Sequence, residues 1–227
     1  MVAITSALDA PGFNFSALPK DAQVCGYTTG SGGVKWTPSM WAAFPSAVRI
    51  CQDPGASDHT ADILDVEAGA ATIAECASWK KAADQSFRNA LRPGQREPAI
   101  YCSQSSVTPV VNALVAGGVK HCPLWVAHFG IGVTAAQSML EASSGPYPVI
   151  GVQFANGPKF DSDLFLTSWL QNVSGKKDPV TPQPPPGQWI DPKLWTWDEC
   201  VLVGTGLDGK IHFFTFDPAT GQWSRNG

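Results

Sequence analysis

No apolar run in this 227-residue chain approaches the roughly 18 to 20 residues that cross a bilayer, so no membrane-spanning helix is expected. The opening Met1-Val2-Ala3-Ile4-Thr5 has neither a basic n-region nor a long apolar h-region. It does not read as a signal peptide, and synthesis in the cytoplasm is expected. A basic excess is missing too. Lys and Arg number 15 against 19 Asp and Glu, a net charge of -4, which argues against nucleic acid as a partner because phosphate binding needs a basic face. There is no CxxC pair, so zinc and dithiol redox chemistry have no support. Gly30-Ser31-Gly32-Gly33 is not followed by Lys-Ser/Thr at a helix start, so it reads as a rim loop and not as a phosphate loop. His59, His121 and His212 have no paired nucleophile, which leaves a Ser-His-Asp hydrolase unsupported.

What is present suits a globular α/β protein with a real core: 44% hydrophobic and 15% charged residues. Short apolar runs at 3–9, 24–28, 47–52, 63–67, 99–103, 124–129 and 149–154 read as strands. Helical patterns occupy 71–90, with Thr72 as N-cap, then 107–117, 134–143 and 163–173. Strands apolar on both faces and separated by helices indicate a parallel sheet of βαβ units. Seven strands come close to the eight of a barrel, so the expected fold is a TIM-barrel-like α/β barrel. It is expected to be incomplete in its first half, where little helix fits between 9 and 24 or between 52 and 63. A doubly wound open sheet is the competing architecture. Of six cysteines, Cys25, Cys51 and Cys102 sit inside apolar strand runs and are expected as buried thiols, with disulfides as the alternative.

The barrel is assigned to residues 1–173. Residues 174–188 (SGKKDPVTPQPPPGQ) form a proline-rich linker. Residues 189–227 alternate apolar and polar side chains around turns at 206–209 and 217–221, which predicts a small all-β module. Its four tryptophans, Trp189, Trp195, Trp197 and Trp223, are either a compact core of large side chains or a binding or assembly surface.

Chemistry, if present, should sit at the C-terminal strand ends. Asp9 closes the first strand, Asp65 and Glu67 close the fourth on one side of it, and Asp161 and Asp163 follow the seventh. Neighbouring carboxylates push each other's pKa values apart, so that one stays protonated while another stays charged, as glycoside hydrolysis requires. Three plainer readings compete. Asp65 and Glu67 could be an ion pair with Arg or Lys, Asp161 and Asp163 could be an N-cap, and the four carboxylates could ligate a hard cation.

Four blocks, in order, resemble the family 25 glycoside hydrolases, the Chalaropsis-type lysozymes of bacteria and phages. They are Leu64-Asp65-Val66-Glu67, Ala99-Ile100-Tyr101-Cys102-Ser103, Pro123-Leu124-Trp125-Val126-Ala127-His128, and Gly151-Val152-Gln153-Phe154 with Phe160-Asp161-Ser162-Asp163-Leu164-Phe165. The resemblance spans roughly 63–169, with an extension back to Asp9. It implies a modified α/β barrel that cuts peptidoglycan glycan without cofactor or metal. Glu67 would be the general acid and Asp65 its partner. Asp161 and Asp9 would complete the acidic set, while Asp65 or Asp161 stabilises or attacks the oxocarbenium-like centre. Tyr101, Trp125, His128, Gln153 and Asp163 would contact substrate, although His128 by itself reads as a core or rim histidine. The chain departs from the family where Ala10-Pro11-Gly12-Phe13 follows Asp9, and where Asp163 stands at the family's Asn.

Two functions of different classes follow. One is a phage-encoded muramidase-like enzyme, made without a signal and reaching the wall after lysis or as part of a virion. The other is an inactive barrel kept as a capsid or tail protein or a host-wall binder, its partners other virion proteins met through the C-terminal module.

Overall fold

The computed structural model describes residues 2–174 and the strands Trp197–Asp198, Val201–Thr205, Ile211–Asp217 and Gln222–Asn226. The chain divides into two compact units, Met1–Lys176 and Lys177–Gly227. The first contains a closed barrel of eight strands: β1 (Ile4–Asp9), β2 (Val24–Tyr27), β3 (Val48–Cys51), β4 (Ile63–Val66), β5 (Ala99–Ser103), β6 (Leu124–Ala127), β7 (Val149–Asn156) and β8 (Asp161–Leu166). Strands β1 to β7 run parallel in sequence order. Strand β8 closes the barrel antiparallel to both β7 and β1. Closure excludes the doubly wound open sheet.

Strand β8 corrects the helix expected at 163–173. Its side chains alternate: Phe165 packs in the barrel interior, while Leu164 and Leu166 pack outward against a helix. That is a strand's period of two. Only Thr167–Gln171 is helical (α5). The hairpin from β7 to β8 needs no crossover helix, because antiparallel neighbours join directly. Asp161 and Asp163 are therefore barrel residues, and the N-cap reading falls.

Helices α2 (Cys76–Arg88), α3 (Val107–Ala116) and α4 (Val133–Glu141) cover the β4–β7 side, close to the expected positions. Helix α2 buries Cys76, Trp79, Lys80 and Ala83 at the i, i+3, i+4, i+7 spacing of one face. The Glu75 carboxylate accepts the Thr72 N–H at 2.7 Å, half of a capping box at the turn leading into α2.

The first half has fewer helices, as expected. A 3-10 turn (Gly12–Ala17) joins β1 to β2, a short helix α1 (Pro38–Ala43), absent from the sequence expectation, precedes β3, and no helix separates β3 from β4. Aromatic side chains cover this side instead. Trp36 meets Phe15 edge-on at 5.2 Å and Trp41 at 4.7 Å. The Trp36 indole donates to the Ala10 carbonyl at 2.8 Å, so its polar atom is satisfied where the ring is buried.

Inside the barrel an aromatic column runs Tyr101, Trp125, Phe165, Trp169, with successive ring centroids 4.8, 5.0 and 5.5 Å apart. Gly151 makes room for it: a Cβ there would lie 2.5 Å from Phe165 and 2.9 Å from Trp125. At the N-terminal end of β4, Asp62 is fully buried and pairs with Arg92 and Arg96. Arg96 also donates to the Ser46, Ala47 and Leu170 carbonyls, which ties four segments together.

Cys25, Cys51 and Cys102 are free and buried, as expected of them; Cys76 and Cys122 are free and buried as well, while Cys200 lies outside the described residues. The second unit holds a four-stranded antiparallel sheet in the order β12-β11-β10-β9, where β9 to β12 are the four strands given above. Of the expected linker only Ser174 is described. The turns at 206–209 and 218–221, with Trp189 and Trp195, lie outside the described residues.

Candidate active site

Parallel strands deliver their C-terminal ends to one rim, and β8, running the other way, delivers its first residue to the same rim. Register fixes this: Asp9, the last residue of β1, pairs with Asp161, the first of β8. Asp65, inside β4, and Glu67, just beyond it, share the side of the strand that faces the barrel mouth. Asp9, Asp65, Glu67 and Asp161 all line one open cavity of about 200 Å³, with Tyr27 and Gln153.

Each carboxylate has a neutral partner, and Asp65 and Glu67 share one. The Tyr27 hydroxyl donates to Asp9 Oδ2 at 2.7 Å. The Gln52 amide donates to Asp65 Oδ2 at 3.0 Å and reaches Glu67 Oε1 at 3.5 Å. The Gln153 amide and the Gly157 N–H both approach Asp161 at 3.4 Å, and Gln153 is itself oriented by the Tyr101 hydroxyl, which donates to it at 2.6 Å. Among the described residues, no Lys or Arg lines this cavity. The ion pairs among the described residues are Lys80–Asp84, Arg92–Asp62, Arg96–Asp62 and His121–Glu97, so none joins Asp65 or Glu67 to a cation. The ion-pair reading of Asp65 and Glu67 is thereby corrected.

Without a compensating cation, every one of these acids is harder to ionise than usual. Burial raises Asp9 to about 7, the charges of Asp161 and Glu67 add to the rise, and the Tyr27 hydrogen bond opposes it. Burial and then the Glu67 charge hold Asp65 well above the carboxylate range, against the pull of Gln52. Glu67, half-buried, is raised by burial and by Asp161, while Gln52 and the neighbouring Asp65 restrain it. Burial raises Asp161 against the Gly157 N–H. Tyr27 and Tyr101 are pushed upward by burial and stay neutral donors.

The residues expected against substrate divide. Tyr101, Trp125 and Gln153 line the cavity. Asp163 does not: it is 1% exposed and pairs with Ala7 of β1, below the rim. Neither of its oxygens makes a hydrogen bond, and burial, then the charges of Asp9 and Asp161, hold its pKa far up. The Trp125 indole N–H, also without a hydrogen bond, lies near enough to oppose that shift. His128 is half-buried and outside the cavity lining, its Nδ1 unpartnered. Among the described residues, no group of three or more His, Cys, Asp or Glu is arranged to hold a metal ion.

Four polar or aromatic residues that line or support the cavity were not picked out from sequence: Tyr27, Gln52, Phe129 and Asn156. Tyr27 ends β2, Asn156 ends β7, and Gln52 and Phe129 stand just past β3 and β6. The signal that finds them is position at a strand's C-terminal end, applied to polar and aromatic residues as well as acids.

Comparison with protein-family models, curated proteins and solved structures finds no match to this chain.

Proposed function

We propose that the chain is a phage-encoded glycoside hydrolase of muramidase type, a TIM-like glycosidase barrel that cuts the glycan of bacterial peptidoglycan. One observation carries the reading: four carboxylates with raised pKa values share an open, cation-free cavity at the barrel rim. Glycoside hydrolysis needs one protonated and one ionised carboxyl on either side of the scissile bond. Glu67, half-buried and with its pKa raised, gives its proton to the glycosidic oxygen as the C1–O bond breaks. Asp161, less deeply buried, supplies negative charge to the oxocarbenium-like C1. Water then adds to C1 and loses its proton to a carboxylate. Tyr101 offers aromatic surface to the sugar, with the buried Trp125 packed behind it.

A scaffold without chemistry favours a mouth filled by side chains. The open cavity supports the enzyme instead, as do Asp9 Oδ1 and Asp65 Oδ1, which are buried and have no protein partner. The C-terminal sheet fits a role in holding the enzyme to the wall or to other virion proteins. The test is incubation of the purified full chain with purified peptidoglycans, with the released fragments analysed by mass spectrometry. New reducing ends on the glycan support the proposal. Intact glycan from every wall tested, with folded protein, contradicts it.

A further inference from the structure

A second cavity, about 370 Å³, adjoins the first and shares Asp9, Tyr27 and Asp161 with it. Three segments build it where the barrel lacks helices: the 3-10 turn after β1, the loop at 30–35, and the β7–β8 hairpin. They are locked together. Asn14 donates to the Lys159 carbonyl at 2.8 Å, which joins turn to hairpin. The Gly12 N–H donates to the Val34 carbonyl at 2.8 Å, which joins turn to loop. Gly12 is required for that approach, since a Cβ would lie 2.7 Å from the Gly33 carbonyl oxygen.

The walls are of two kinds. Pro11, Phe13, Val34 and Phe160 are apolar, while Asn14 and Lys159 are polar. Phe15, two residues along the same turn, packs into the aromatic cluster under the barrel wall, but Phe13 is 64% exposed. A second exposed ring, Phe129 at 47%, stands in the lining of the first cavity. The carboxylates shared by the two chambers thus lie between two exposed aromatic rings, in the middle of a groove and not at the bottom of a blind pocket.

We propose that the Phe13 chamber is a saccharide subsite holding the ring next to the one at the carboxylates. An apolar ring face with polar groups beside it matches a pyranose, which has an apolar C–H face and a rim of hydroxyls. The inference rests on the glycosidase reading for the identity of the ligand, but its test does not rest on turnover.

The experiment is calorimetric titration of the full chain carrying Glu67→Gln, which keeps bound glycan uncut, with N-acetylglucosamine and with chitobiose. The disaccharide is expected to bind about tenfold more tightly, the gain of one stacked ring. Adding Phe13→Ala should remove most of that gain and leave the monosaccharide unchanged, while Phe13→Trp should retain it. A gain that survives Phe13→Ala overturns the assignment, as does no gain with length or an equal loss for both sugars. Circular dichroism confirms that the exposed substitution leaves the fold intact. Phe13-dependent binding without cleavage of any peptidoglycan by wild type supports the subsite and sinks the enzyme. Cleavage without Phe13 dependence does the reverse.

Discussion

Asp9 and Asp161 stand opposite one another where the antiparallel pair of β1 and β8 reaches the rim, two acids in register with no cation between them. Their mutual repulsion, added to burial, costs stability whenever both are charged. Asp9, Asp65, Glu67, Asp161 and Asp163 are all shifted upward. A raised carboxyl binds its proton more tightly in the folded state. Its contribution is complete below the unfolded pKa, near 4, and is lost as pH rises through the folded value, about 7 for Asp9. The protein should therefore unfold at a higher urea concentration at pH 5 than at pH 8. Asp9→Asn should flatten that slope. A midpoint that rises from pH 5 to pH 8 would contradict this electrostatic account.

Asp163 has no hydrogen-bond partner and is held neutral by burial. Asp163→Asn replaces a group that can charge with one of the same shape that cannot. The variant should match wild type at pH 5 and exceed it in stability at pH 8, by about 1 kcal/mol or more. Equal stability at both pH values would show that the carboxyl is not strained.

Tyr27 favours the charged form of Asp9 through its 2.7 Å hydrogen bond. Tyr27→Phe should move the Asp9 titration, followed by carboxyl-carbon NMR, above about 7. A downward movement would reverse the assigned role.

At the other end of the barrel, Asp62 balances Arg92 and Arg96 in the interior. Asp62→Ala strands buried guanidinium charge and should cost about 3–5 kcal/mol in urea denaturation. A loss under about 1 kcal/mol would mean that solvent reaches these arginines.

Seven of the eight strands are legible in the sequence because each carries a short apolar run bounded by turn residues, and Asp9, Asp65 and Glu67 follow from their places at strand ends. Strand β8 is not legible. Asp-Ser-Asp-Leu-Phe-Leu has too few residues to separate a period of two from one of 3.6, and one of its two partner strands, β1, lies some 150 residues away. Helix α1 is six residues long, set by its Thr37 cap and Pro38, and has no buried face to leave a pattern. Tyr27 and Gln52 acquire their roles only when barrel closure brings β2 and β3 beside β1 and β4. The Asp163 side chain shows the opposite limit: the motif drew it toward substrate, and the strand register puts it below the rim.

The central claim is that Glu67 delivers the proton that breaks a glycan bond, and reducing-end release from peptidoglycan by wild type and by Glu67→Gln tests it most directly. The account predicts hydrolysis by wild type, with its rate falling toward alkaline pH, and a loss of about 10² to 10⁴-fold in Glu67→Gln with folding unchanged. Hydrolysis that persists at the wild-type rate in Glu67→Gln would contradict it.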